Sequence, residues 1–137
     1  MIRLLLLSIA AAAPATAQVA SSFDAGKALP LAPGQWSYVA TPTGGEARFG
    51  ALLSLRCDRA TRTMTISRPG SPAATQTIVT DTQSRALPPN GRISAFDPLL
   101  DAVAFSRGRI LVSGGSAGVL AVPSWPEAGR AIEDCRN

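Results

Sequence analysis

Histidine is missing from the 137-residue chain, and lysine and tyrosine occur once each, as Lys27 and Tyr38. The first absence removes Ser-His-Asp and Cys-His nucleophile systems, histidine-based zinc sites and the commonest general base. Aromatic residues make up only 5% of the chain. With few rings on which bases could stack, nucleic acid is not an expected partner. The two cysteines, Cys57 and Cys135, have no metal-ligand companions near them in sequence, so neither a metal nor a cofactor is expected. No local window supplies enough oxygen ligands for calcium.

What the chain does have begins at its start. Arg3 is followed by an almost unbroken apolar run over residues 4–13, then Pro14 and the small-x-small triplet Ala15-Thr16-Ala17. That order is the pattern of a cleavable signal peptide over residues 1–17. A membrane span needs about 20 apolar residues, and Pro14 interrupts this run earlier. No cysteine follows it, so a lipoprotein anchor has no atom to form on. The expected product has no transmembrane segment and is periplasmic or secreted. Loss of Arg3 leaves twelve basic against nine acidic residues, a mild arginine excess. Arginine pairs bidentately with phosphate and carboxylate, which suits anionic envelope polymers, although solvated surface charge explains the same count.

Residues 18–34 are rich in Ala, Ser, Pro and Gly with no period, and read as a flexible leader. One β-rich domain is expected over residues 35–137. Residues 36–40 read as a strand and Thr43-Gly44-Gly45-Glu46 as a hairpin turn. Phe49, Ala51, Leu53, Leu55 and Cys57 then alternate with a largely polar set, the signature of one half-buried strand. A turn at residues 58–61 leads to a strand with Met64 and Ile66 inward. A strand over 75–82, a loop over 87–91 and a short strand over 93–96 follow. Asp97 and Pro98 are placed as N-cap and first turn of a helix ending at Phe105. A hairpin spans residues 109–122. In the last helix Ser124 and Glu127 have capping-box spacing, and Trp125, Ala128, Ala131, Ile132 and Cys135 recur at helical spacing. Trp36 and Trp125 are expected in the core.

Period 2 on the strand and period 3.6 on the helix both turn their one cysteine inward. In an oxidising compartment two such thiols form a disulfide, and closing the 78-position loop stabilises the fold by roughly 4–5 kcal/mol in the chain-entropy model. The expected fold is therefore α+β: mainly antiparallel sheet, curved as a sandwich or half-barrel, with a C-terminal helix bridged to it.

This layout, from the strand Ala51-Leu52-Leu53-Ser54-Leu55-Arg56-Cys57 to the terminal helix with Cys135, resembles small exported alphaproteobacterial proteins of uncharacterised function. It is loosely similar to the invasion-associated locus B family. The resemblance implies a β-sandwich-like domain in an envelope or host-contact accessory role, and carries over no active site.

Candidate chemistry is sparse. Asp97 and Asp101 stand i, i+4 on one short helix, which does not by itself build the cleft a glycosidase pair needs. Asp97 is better read as an N-cap, and Asp101 as a partner of Arg107 or Arg109. Glu133 and Asp134 are merely adjacent. Arg85 and Arg92 flank the Pro88-Pro89 loop, and Arg107 and Arg109 flank a turn glycine. If these four converge they form an anion site. Ser113-Gly114-Gly115-Ser116-Ala117 is superficially similar to the Ser-Gly loops of bacterial C-type lysozyme inhibitors, without their tyrosine. The expected function is a non-catalytic envelope accessory or binding module whose partner is an envelope protein or an anionic envelope polymer. Inhibition of a foreign hydrolase is the alternative, and a histidine-free hydrolase ranks last.

Overall fold

The computed structural model describes residues 22–69, 75–114 and 118–137, so the signal peptide expected over residues 1–17 lies outside the described residues. The elements run β1 (Trp36–Thr41), β2 (Gly44–Phe49), β3 (Leu53–Asp58), β4 (Thr63–Ser67), β5 (Thr77–Val79), β6 (Ser84–Ala86), β7 (Arg92–Ser94), α1 (Pro98–Phe105), β8 (Arg109–Ser113), β9 (Leu120–Pro123) and α2 (Pro126–Arg136). They build two antiparallel sheets, β1-β2-β3-β4-β7 and β6-β5-β8-β9. The expected α+β class, with a C-terminal helix and one disulfide, is what forms.

The alternation through residues 49–57 belongs to two strands rather than one. A turn at residues 50–52 divides it, and Phe49 lies directly opposite Leu53. Three loop residues preserve parity, so the inward set continues across the turn while Ala51, read as inward, is exposed. The preceding glycines are also placed differently. The β1–β2 turn is Pro42-Thr43, closed by the pair Thr41 and Gly44, and Gly44 and Gly45 lie within β2. Close approach explains them. A Cβ on Gly44 would stand 2.7 Å from the Cys57 carbonyl oxygen and 2.8 Å from its sulfur. One on Gly45 would meet Tyr38 Oη at 2.6 Å and Asp134 Oδ2 at 2.9 Å.

One core joins both sheets and both helices, with Phe49, Leu55, Met64, Leu99, Leu100, Val112, Val122 and Ile132 at its centre. Trp36 is buried, stacks edge-on against Phe49 at 5.5 Å, and donates its indole N–H to the Pro123 carbonyl at 2.7 Å. That bond ties the first strand of one sheet to the last strand of the other. Cys57 and Cys135, both buried, form the expected disulfide across 78 positions. Around it Asp134 accepts the Gly45 N–H at 2.6 Å and the Arg59 guanidinium at 2.9 Å, so α2 is fastened to the sheet by polar contacts as well.

The helix starts divide the expectations. Asp97 caps α1, accepting the Leu99 N–H at 2.9 Å. At α2 the N-cap is Trp125, with no side-chain cap bond. Ser124 falls one position too early for the capping box and instead donates its N–H to the Gly108 carbonyl at 3.2 Å. Pro126 opens the helix, a position where the missing N–H costs nothing. Trp125 consequently sits outside the apolar stripe and is 42% exposed, contrary to its expected core role.

Residues 22–34 are not a free leader. Residues 22–27 are helical, and buried Phe23 packs with Val79, Leu111 and Ala121 on the outer side of the four-stranded sheet. The Ala32 N–H reaches the Ala121 carbonyl at 2.8 Å, and Arg109 holds the Gly26 and Leu29 carbonyls at 3.0 and 2.8 Å. Composition hid this because one phenylalanine, rather than a periodic stripe, does the anchoring.

Candidate functional site: the open face of the five-stranded sheet

Strand alternation sends Phe49, Leu55, Cys57, Met64 and Ile93 inward, and their neighbours outward. Register then sets the outward residues in rows across the strands. Val39, Glu46, Arg56, Thr65 and Arg92 form one row spanning all five strands, and Ser37, Arg48, Ser54 and Ser67 form the next. Most of these positions are exposed or half-buried, Glu46 being the buried exception.

Glu46 is the one carboxylate in the two rows. Arg48 donates to it at 2.9 Å and Ser54 at 3.3 Å. The Arg48 hydrogen bond is the largest influence on its pKa. Together with the nearby guanidinium charges it outweighs the opposing effect of burial and holds the carboxyl below its ordinary value of 4.5. Glu46 is thereby committed to Arg48, and the field of Arg56 adds least.

Arg56 and Arg92 stand on either side of Thr65, with no carboxylate in the row between them. Among the described residues Arg56 has no side-chain hydrogen bond or ion pair, and Arg92, whose backbone N–H donates to Asn90 Oδ1 at 3.1 Å, uses its guanidinium only for a long bond to Thr63 Oγ1, at 3.3 Å. The two line a solvent-open depression of about 500 Å³ with Thr43, Asp58, Thr65 and Asn90. At its edge Asp58 Oδ1 accepts the Ala60 and Thr61 N–H groups at 3.1 and 3.4 Å.

Of the four arginines singled out in the sequence, only Arg92 lines this depression. Arg85, on β6 of the other sheet, is paired with Asp97 at 2.7 Å. Arg107 lies 3.5 Å from Asp81, and Arg109 is engaged by the carbonyls of residues 26 and 29. The four share no acceptor among these contacts. Arg56, Thr65 and Asp58 did not stand out in the sequence. Alternation had already turned Arg56 outward, but only the register of three strands sets it across from Thr65 and Arg92.

Asp101 pairs with Arg136 at 2.7 Å rather than with Arg107 or Arg109, because the C-terminus of α2 runs past the start of α1. It lines a second open depression with Asp81 and Arg107, of about 480 Å³. Both carboxylates there already hold a guanidinium. For Asp97 burial disfavours ionisation, but the hydrogen bonds from Arg85 and the Leu99 N–H, with the Arg85 charge, prevail and lower its pKa. Among the described residues no group of three or more His, Cys, Asp or Glu side chains could hold a metal ion, and no helix is long and apolar enough to cross a membrane. Residues 115–117 of the inhibitor-like loop lie outside the described residues.

Scanned against models of known families the chain matches none, and no curated protein or solved structure matches it either.

Proposed function

We propose that this protein is an exported, non-catalytic module of the cell envelope that binds an anionic envelope polymer through the open face of its five-stranded sheet. The observation that carries the reading is the Arg56–Thr65–Arg92 row, in which two exposed guanidinium groups make no ion pair with a carboxylate among the described residues. Such groups keep their full capacity for bidentate pairing with phosphate or carboxylate. The Cys57–Cys135 bridge supports the address, since disulfides persist in oxidising compartments. The signal-peptide pattern of residues 1–17 points the same way.

Cosedimentation tests the reading. Purified mature protein is expected to pellet with lipopolysaccharide aggregates or peptidoglycan sacculi, and to be released as salt rises, because screening weakens contacts between exposed charges. Protein that stays in the supernatant with both materials at low salt contradicts it.

A further inference from the structure

We infer that the depression between Arg56 and Arg92 is a subsite for a single acidic sugar: a saccharide ring carrying a phosphate or carboxylate, with the oxyanion over Thr65 and a ring hydroxyl against Asp58. The inference rests on the binding function proposed above and adds the ligand class.

The geometry makes three demands on an occupant. Arg56 and Arg92 lie on the strands flanking Thr65, each in direct register with it. Neighbouring strands are about 4.8 Å apart, so the two arginine backbones are separated by about 10 Å. Two long side chains rooted at that spacing close on one oxyanion from opposite sides, with the Thr65 hydroxyl as a third donor between them. Two guanidinium groups and one carboxylate, Asp58, line the depression, so its charge is in positive excess and an oxyanion between the arginines offsets it.

The second demand comes from Asp58. Its Oδ1 is used by the turn at Ala60 and Thr61, while Oδ2 has no hydrogen-bond partner among the described residues. An ionised carboxylate only accepts. A bare phosphate or a simple dicarboxylate would meet repulsion there, whereas a sugar offers the hydroxyl donor this oxygen lacks. The third is the mixed lining: Thr43, Thr65 and Asn90 bring two hydroxyls and one amide to the same depression. Thr43 Oγ1 is bonded to Thr41 Oγ1 at 3.2 Å and Asn90 Oδ1 accepts the Arg92 N–H at 3.1 Å, so the Thr65 hydroxyl and the Asn90 amide N–H groups are what remain to meet a polyhydroxylated ring. The volume of about 500 Å³ lies in the ordinary range for a small-molecule site.

Calorimetry on the full mature chain, with four probes, decides. N-acetylmuramic acid supplies a carboxylate on a sugar, glucosamine 6-phosphate a phosphate on a sugar, N-acetylglucosamine the neutral ring and inorganic phosphate the anion alone. At least one of the two acidic sugars is expected to bind saturably, tenfold or more tighter than either control, and which one binds separates the peptidoglycan-type source from the phosphorylated one. Arg56→Ala and Arg92→Ala should each weaken that binding by tenfold or more. Asp58→Asn keeps Oδ1 for the turn, and should weaken the acidic sugar while tightening inorganic phosphate, because the charge that repels the bare anion is gone. Unchanged thermal melting of the three variants shows that they fold. Failure of both acidic sugars to bind, or binding that survives Arg56→Ala and Arg92→Ala, overturns the subsite. If the wild type still pellets with envelope polymers in that case, the subsite alone has failed. If it pellets with neither, the broader reading has failed with it.

Discussion

The two sheets differ in how many faces they bury. In the five-stranded sheet one face enters the core under α2, and the other carries serine, threonine and arginine to solvent; the alternating burial of β3 records this. In the four-stranded sheet β5, β8 and β9 are buried on both sides, and the edge strand β6 is exposed. Ile78, Ile110, Val112 and Val122 face the shared core, while Val79, Leu111 and Ala121 lie beneath Phe23. A sheet apolar on both faces needs two covers, and residues 22–34 supply the second. On the proposed reading the sheet with a free face is the one that binds, and the covered sheet is scaffold.

The largest expected effect falls on the fastening of α2. Replacing both cysteines, Cys57→Ala with Cys135→Ala, should cost about 4 kcal/mol and lower the melting temperature by on the order of 10 °C or more under oxidising conditions. Wild type in excess reductant should melt close to the variant. If the variant melts within a few degrees of oxidised wild type, core packing of Ile132 and the polar contacts of Asp134 and Arg136 hold the helix without the bridge.

Next comes the cover of the other sheet. Phe23→Ala should cost about 2 kcal/mol, less than the roughly 3–5 kcal/mol of a fully enclosed Phe→Ala change, because its cluster is small. Amide exchange should accelerate in residues 22–34, β8 and β9 while β2 to β4 stay protected. Uniform acceleration across both sheets would erase the distinction drawn between them. Gly26→Ala probes the same docking sterically, since its new Cβ would fall 2.0 Å from Leu111 Cδ1.

A smaller effect concerns acid. The folded pKa values of Glu46 and Asp97 lie below their ordinary values of 4.5 and 3.8. The stability each contributes is fully present above the unfolded value and is lost as pH falls through the lowered one. Stability should therefore decline below about pH 4.5, and Glu46→Gln should flatten the upper part of that decline. Melting curves between pH 7 and pH 2 measure it; an identical acid limb in the variant removes Glu46 from the account. The smallest effect belongs to the open face: Arg56→Ala with Arg92→Ala should change stability by no more than about 0.5 kcal/mol, as surface substitutions do. A larger loss would make the row structural.

The same contrast governs what the sequence disclosed. The two-sided alternation of a half-exposed sheet is a sequence signal, so it points Leu53, Leu55, Cys57, Met64 and Ile66 inward, where the structure has them. Asp97 is legible because an N-cap is a local device. What escaped was non-local. The turn at residues 50–52 preserves parity and so leaves no break in the pattern. The docking of residues 22–34 hangs on one buried ring. The capping box at Ser124 had the right spacing, but its helix begins one residue later. Sequence proximity groups Arg85 with Arg92 and Arg107 with Arg109, whereas the pairing of β3, β4 and β7 sets Arg56 across Thr65 from Arg92.

The most direct test of a working face and a scaffold face is a residue-resolved map of binding. Backbone amide shifts of the labelled mature protein, followed during titration with solubilised peptidoglycan or lipopolysaccharide fragments, should move for Arg48, Arg56, Thr65 and Arg92 and their strand neighbours, and hold still for β5, β8 and β9. Shifts concentrated on the four-stranded sheet and residues 22–34, with the arginine rows unmoved, would contradict the account.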